Sequence, residues 1–498
     1  MLTTLACVAR SVHIAITVTA LLEVAACQRV RTEVISGSDG SSADLPGSGG
    51  AGSGGAGSGG AGSGGASGAG GSGPRDAGAV ETAAPCVNLQ CLRVTCPGGA
   101  QTSISGIAFA PNGTLPLFNV IVYVPNAPLA PFQQGVSCDR CGKVSGSPIA
   151  SAISNEEGKF KLNNVPAGKN IPLVVQVGKW RRQVTIPDVV ACQDNVLDAG
   201  LTRLPRNRKE GDMPRIAATT GTCDRLGCLL PKLGVDVSEL GTAADARAVA
   251  FYRGFEEQPV ASGVEGPPNI QEASVLWRDD AELSKYDMAL LSCECREALN
   301  NKGPAAYDAL TRYLARGGRI FGSDFMYVWY KNSTDPRLAG ALSIVGGAPH
   351  AAQDPMVIDT SFPKGKALAD WMKFIDPTIT YGQIRSEMTF ANFTGAMAMT
   401  SQVWASSPNG SPPMASQPRI VTINTPAGLS AEQQCGRAVH IDAHISPTSV
   451  LDDVRKVFPE NCGTTLGKAE SALAFLFFDL ASCIQDDIAP VVPPIIVP

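Results

Sequence analysis

Residues 286–330 constrain the fold more than any other stretch of this chain. They read as strand, loop, helix, tight turn, strand. Met288 to Leu291 is an unbroken apolar run, the pattern of a strand buried on both faces. Gly303-Pro304 opens a helix with Pro at a favourable first-turn position. Its Ala306, Leu310 and Tyr313 recur at i, i+4 and i+7 and share one face. Gly317-Gly318 ends it, and Arg319-Ile320-Phe321 starts a second strand that breaks at Gly322-Ser323-Asp324. Strand–helix–strand with short connections implies a parallel sheet. In such sheets ligands sit beyond the carboxyl ends of the strands. Those ends carry Cys293 and Cys295 after the first strand, and Ser323 and Asp324 after the second.

With 498 residues the chain exceeds one ordinary core, so two or three domains are expected. A net charge of −5 argues against nucleic acid as a partner. Fifteen cysteines point to an oxidising compartment. Arg10 precedes an apolar stretch from Val12 to Leu22, followed by Val24-Ala25-Ala26-Cys27. That ending resembles the lipobox of bacterial lipoproteins. The resemblance implies a signal peptide over 1–26, lipidation of Cys27 and attachment to a membrane through the lipid. Gln28 after the Cys, rather than Asp, implies the cell outer membrane by analogy with lipoprotein sorting. The other reading is an ordinary cleaved signal peptide with Cys27 a bystander. No further apolar run reaches ~18 residues, so no transmembrane helix is expected. Residues 27–85 form a polar and low-complexity stretch in which 47–73 hold only Gly, Ala and Ser. Such a run has nothing to bury, and is expected to be a disordered tether spanning roughly 30 Å.

Residues 86–203 look all-β. Cys86, Cys91 and Cys96 are expected to staple the entrance, with partners that spacing does not reveal. Short runs at 103–109, 119–124, 159–162, 171–177 and 180–186 are separated by Gly, Pro and Asn turns. The Gly106 start, the Asn155-to-Leu162 turn and strand, and Val165-Pro166-Ala167-Gly168 resemble the carboxypeptidase regulatory-like, prealbumin-type β-sandwich, a non-catalytic spacer or binding module. Cys138-x-x-Cys141 reads as a structural disulfide, with Cys192 a candidate partner, in preference to a redox or zinc motif. Residues 204–213 read as a linker, and 488–498 as a loose Pro-rich tail. Between them, 214–487 alternate strands (215–221, 248–252, 403–404, 420–423, 436–441) with helices (273–283, 337–345, 364–374, 466–480), while 226–233 reads as irregular. The fold class is therefore multidomain: a sandwich followed by a doubly wound, flavodoxin-like α/β domain.

Tyr286-Asp287 before the Ser292-Cys293 strand end, the Tyr313-to-Phe321 segment, and Cys435 to His440 with Asp442 and His444 make that domain similar to the class I glutamine amidotransferase-like fold, in its trehalose-utilisation-type version. That family places a Cys nucleophile at a strand-to-helix elbow, with a His and a Glu later in the chain. Here the elbow is Gly322-Ser323-Asp324, and Ser446 stands where a Glu is expected after His444, so the triad is not preserved. Three local chemistries remain. Cys293 and Cys295 are either activated thiols or, in an oxidising compartment, a disulfide. Ser323 with His444 is a nucleophile–base candidate lacking a G-x-S-x-G elbow. His440, Asp442 and His444 alternate on one strand face, in a pattern that suits either a metal or a hydrogen-bonded core histidine. If extended, Phe325, Tyr327 and Trp329 would form a ledge for stacking on sugars; core packing is the plain alternative. Asn112, Asn332, Asn392 and Asn409 each begin an N-x-S/T sequon, which means little in a bacterium. No metal or cofactor is expected. The expected role is ligand or partner binding on the envelope, with a cell-surface glycan or protein as ligand. A hydrolase using the Ser323, Asp324, His444 crevice and a structural spacer are the alternatives.

Overall fold

The computed structural model describes residues 86–493 and 496, apart from 142–143, 256–265, 347–353, 387, 409–414 and 445–455. The apolar leader, Cys27, the Gly/Ala/Ser run and His350 lie outside the described residues.

Among the described residues seven strands come first: β1 (Ser103–Ile107), β2 (Ile121–Pro125), β3 (Pro148–Ile153), β4 (Lys159–Asn163), β5 (Gly168–Val177), β6 (Trp180–Val189) and β7 (Asp194–Val196). They form a four-stranded sheet ordered β3-β2-β5-β6 and a three-stranded sheet ordered β4-β1-β7. Period-2 patterning does the work predicted of it: β4 turns Phe160 and Leu162 inward and its three polar residues outward. Ile104, Val122, Val124, Leu162, Leu173 and Val175 of the two sheets meet in one core.

The rest of the chain is built on a larger sheet. Its strands are β8 (Ile216–Thr219), β9 (Leu240–Thr242), β10 (Val249–Arg253), β11 (Gln271–Glu272), β12 (Met288–Leu291) and β13 (Arg319–Ser323). After β14 (Leu342–Ile344) come β15 (Met356–Ile358), β16 (Gln383–Ile384), β17 (Met388–Thr389), β18 (Phe393–Ala396), β19 (Gln402–Pro408), β20 (Ser416–Thr425), β21 (Gly436–Ile441) and β22 (Ala443–His444). The order is β11-β10-β8-β12-β13-β21-β20-β19-β15-β16, with β9 on β10; β14 pairs with β18, and β17 with β22. The β12–β13 pairing is parallel, as the strand–helix–strand reading requires, and so are β10–β8, β8–β12 and β13–β21. Beyond β21 the sheet continues antiparallel. From β8 the chain winds to β10 on one side and to β12, β13 and β21 on the other. The strand order therefore reverses between β8 and β12, where an α/β sheet opens a crevice.

Successive residues of these strands enter different cores. Ile216, Ala218, Met288, Leu290, Phe321 and Val439 face the helices Pro363–Ile375 and Lys468–Ala481. Ala217, Ala289, Leu291, Ile320 and Ala438 face the helix Pro304–Ala315. The first of these cores runs on into the β1–β7 sheets. The sequence gives the last helix a single apolar stripe, yet every residue from Ala472 to Ala481 is buried, because the parallel sheet lies on one side and the β1–β7 part on the other. Trp371 Nε1 donates to the Pro116 carbonyl at 2.8 Å, Phe118 stacks on Phe475 with centroids 5.7 Å apart, and Trp180 packs on Phe477 and Phe478. The 204–213 stretch, expected to be a linker, packs as well: Leu204 is fully buried, Pro205 accepts from Trp180 Nε1 at 2.8 Å, and the Asp212 backbone pairs with Arg181. A buried ion cluster holds the end of the chain. Lys364 reaches Asp479 at 2.7 Å and Asp487 at 3.0 Å, and Arg437 reaches both at 2.6 Å.

Among the described residues six disulfides link Cys86–Cys91, Cys96–Cys192, Cys138–Cys435, Cys141–Cys483, Cys223–Cys295 and Cys228–Cys462. Cys192 therefore pairs with Cys96 and not with the Cys138-x-x-Cys141 motif, whose two sulfurs reach the far end of the chain. Two helix expectations also change. Residues 337–345 split into a turn of helix at Pro336–Ala339 and strand β14, because Gly340 ends the turn. Residues 273–283 form two separate turns, the second capped by Asp279 accepting from the Glu282 N–H. The stretch expected to be irregular, 226–233, is a 3-10 turn followed by Leu229–Lys232.

Candidate functional site

The carboxyl ends of β8, β12, β13 and β21 converge as the parallel sheet demands. Leu291 of β12 runs into Ser292 and the fully buried Cys293, the one free cysteine among the described residues. Cys295, two residues on, is bridged to Cys223 from the loop after β8, so Cys295 is not a thiol. A Cβ on Gly221 would meet the Cys293 carbonyl at 2.4 Å, which explains why the loop that approaches this strand end carries glycine there.

β13 runs two residues further than its apolar pattern suggests, and Asp324 then adopts φ +42° at the strand-to-helix turn. A non-glycine residue in this region is strained and is held by its surroundings. Asp324 is fully buried. Its Oδ2 receives the Cys293 S–H at 3.3 Å and lies 3.1 Å from His444 Nε2; its Oδ1 accepts from Asn392 Nδ2 at 2.9 Å. The same Asn392 amide donates to Asp442 Oδ1 at 2.7 Å, and its backbone N–H donates to Asp442 Oδ2 at 2.8 Å. Arg419, also fully buried, stands 3.7 Å from that carboxylate. His444 lies on β22, packs its ring against Phe390 at 4.7 Å, and keeps 13% of its side chain exposed.

Burial and charge set the protonation of this network. Burial, helped by the Asp324 and Asp224 carboxylates, pushes the Cys293 thiol well above its ordinary range. Burial also lifts Asp442 to about 7, with Asn392 and Arg419 opposing. His444 moves up: burial acts against the charged form and is outweighed by Asp324, Asp224 and Asp442. His440 moves down to about 3 through burial, and its ring packs against Phe393 and Tyr330.

The sequence candidates therefore divide. Cys293, Asp324, Asp442 and His444 come together. Ser323 is buried and its Oγ meets no partner, so the Ser323–His444 pair does not form; Asp324 takes the imidazole. His440, Asp442 and His444 do not act as one face, because β21 ends at Ile441 and His440 turns into the aromatic core. Phe325, Tyr327 and Trp329 do not form an exposed ledge, because Asp324–Tyr327 and Val328–Lys331 are helical turns. Tyr327 is buried and donates to Glu297 at 2.9 Å; Trp329 is buried against Trp277, Tyr307 and the ammonium of Lys302, itself paired with Glu294. The residues missed were Asn392, Arg419 and Cys223, each brought in from a distant loop or strand. A cavity of about 230 Å³ lies elsewhere, lined by Ser401, Gln402, Thr422, Asn424 and Asp486 among others. No described helix is long and apolar enough to cross a membrane.

No protein-family profile matches the chain, and none of the curated proteins matches it significantly. Among solved structures it is similar to a ThuA-like protein from Bacteroides uniformis, at 10% identity over 53% of this chain and 89% of that one, with a TM-score of 0.28. It is also similar to a cytoplasmic protein from Salmonella typhimurium, at 12% identity over 55% of this chain and 100% of that one, again with a TM-score of 0.28. A chain of a type II cohesin–X-dockerin complex from Acetivibrio cellulolyticus matches 29% of this chain and 78% of its own, at 13% identity and a TM-score of 0.15. At such scores the fold rests on the strand order itself.

Proposed function

We propose that this chain is a lipid-anchored envelope protein that binds a glycan or protein ligand without hydrolysing it. In this reading a prealbumin-type sandwich supports an amidotransferase-like α/β part that has lost its catalytic triad. The observation that carries it is the state of the strand-end nucleophiles. Cys293 is buried with its thiol pushed up, Cys295 is bridged to Cys223, and Ser323 has no base. Six disulfides support an oxidising compartment. A hydrolase is the second reading. It is favoured by Asp324, which sits at φ +42° on a strand-to-helix turn with His444 at 3.1 Å, the place and partner of an elbow nucleophile.

The test uses the full chain. Sacculi or envelope polysaccharides should retain it, ester, amide and glycoside panels should show no turnover, and Cys27→Ser should move it from the membrane to the soluble fraction. Turnover that His444→Ala abolishes would establish the hydrolase instead. Retention by neither material would leave the spacer role.

A further inference from the structure

The Cys293, Asp324 and His444 side chains bring one sulfur, one oxygen and one nitrogen donor together at the strand ends. Asp324 Oδ2 is 3.3 Å from Cys293 Sγ and 3.1 Å from His444 Nε2. Cys293 Sγ and a ring nitrogen of His444 lie within 4.8 Å of each other. Zinc bonds of about 2.3 Å to sulfur, 2.1 Å to oxygen and 2.05 Å to nitrogen would turn the two short separations into angles of about 97° at the metal, narrower than the tetrahedral angle, and would require the sulfur and the ring nitrogen to stand no more than about 4.35 Å apart. We infer that these three side chains bind one zinc-class divalent cation, with Cys293 as thiolate, Asp324 through Oδ2 and His444 through its imidazole. The inference is independent of the proposed function.

Three observations beyond the distances support it. The first is the support around the ligands. Asn392 Nδ2 holds Asp324 Oδ1 at 2.9 Å, which leaves Oδ2 for the sulfur and the imidazole. The Cys295 N–H points at Cys293 Sγ at 3.3 Å, a donor that suits a thiolate acceptor. Outer partners of this kind orient metal ligands and tune them.

The second is the survival of the thiol. Cys293 Sγ lies within 4.8 Å of Cys223 Sγ, a member of a disulfide. A thiolate so close to a disulfide is placed for exchange, and ligation to a metal would hold the deprotonated sulfur out of that reaction. The third is burial: Cys293 and Asp324 are fully buried, while His444 keeps a small exposed edge through which an ion would enter. Binding exchanges the Cys293 thiol proton for the cation. One proton is released to solvent, no electron moves, and the Cys223–Cys295 bond stays intact.

The test is a titration of the chelator-treated, unreduced full chain with cobalt(II), a spectroscopic substitute for zinc, and with zinc alone. One cobalt per chain should bind, with a sulfur-to-cobalt charge-transfer band that zinc bleaches. Cys293→Ser should abolish the band and weaken binding at least 100-fold. His444→Ala, at the exposed edge, should weaken it about 10- to 100-fold, and Asn392→Ala about 10-fold. Thermal melts identify any variant that fails to fold; the His444 variant then carries the comparison. Absence of saturable uptake, equal affinity in the His444 variant, or uptake only after the Cys223–Cys295 bond is reduced would each overturn the assignment.

Discussion

Trp371→Phe tests whether the β1–β7 sheets and the α/β part unfold together. Trp371 is fully buried on the Pro363–Ile375 helix, and its indole N–H is held by the carbonyl of Pro116 at 2.8 Å. Phenylalanine keeps most of the apolar ring and deletes the donor. The buried carbonyl left without its partner costs about 1–3 kcal/mol, and the smaller ring adds about 1 kcal/mol of lost packing. The expected loss is thus about 2–4 kcal/mol. Roughly 400 residues unfolding as one unit carry an entropy of about 0.8 kcal/mol/K, so Tm should fall by about 3–5 °C. The assay is calorimetry beside near-ultraviolet circular dichroism, with disulfides intact. One transition that moves as a whole is the expected result, since both parts contribute to a single apolar core. Two transitions, of which only one moves, would refute the shared-core argument.

Three further outcomes follow from buried charge and close contact. Lys364→Met leaves two buried carboxylates with one cation, Arg437, between them, and should cost about 3–5 kcal/mol by urea denaturation. Burial alone would raise Asp487, but Arg437 and Lys364 outweigh it and hold the group at about 2, against about 4 unfolded. Its contribution is therefore present above about pH 4 and lost as pH falls toward 2, and Asp487→Asn should flatten that acid limb in pH-dependent denaturation curves. Gly178 turns the β5–β6 hairpin at φ +52° with its Cα against the end of the last helix, where a Cβ would sit 1.9 Å from the Ala481 carbonyl. Gly178→Ala should therefore cost more than about 2 kcal/mol in the same assay, and a neutral result would show that this contact is loose.

The parallel core was legible because its signals are local. Apolar runs, a Gly-Pro helix start and a Gly-Gly stop fixed β12, the Pro304–Ala315 helix and β13 within two residues. The antiparallel extension through β15 and β16 was not, because those strands are two or three residues long and take their stability from neighbours. The aromatic run after Asp324 misled for a related reason: alternation implies a face only if the backbone is extended, and positive φ at Asp324 starts helical turns instead. At the site, strand ends located Cys293 and Asp324, and the family resemblance with the alternation of His440, Asp442 and His444 pointed to His444. They did not reveal Asn392, whose role depends on two carboxylates 68 and 50 residues away. Disulfide partners were equally invisible, since Cys138 and Cys435 stand 297 residues apart.

The Cys141–Cys483 bond also decides how the protein carries mechanical load. A pull on the chain from either side of this pair passes directly through the sulfurs, and the 342-residue separation between them drops out of the line of force. About 1,100–1,200 Å of contour length is withheld from extension in this way. The larger sheet and its covering helices all lie inside that bypassed loop, apart from the chain beyond Cys483. Tension falls instead on the segment before Cys141, which contains β1 and β2. Each of these has a hydrogen-bonded neighbour on both sides in its own sheet. The strands left to bear a load are thus interior ones, and the larger sheet can be stretched only by breaking a covalent bond.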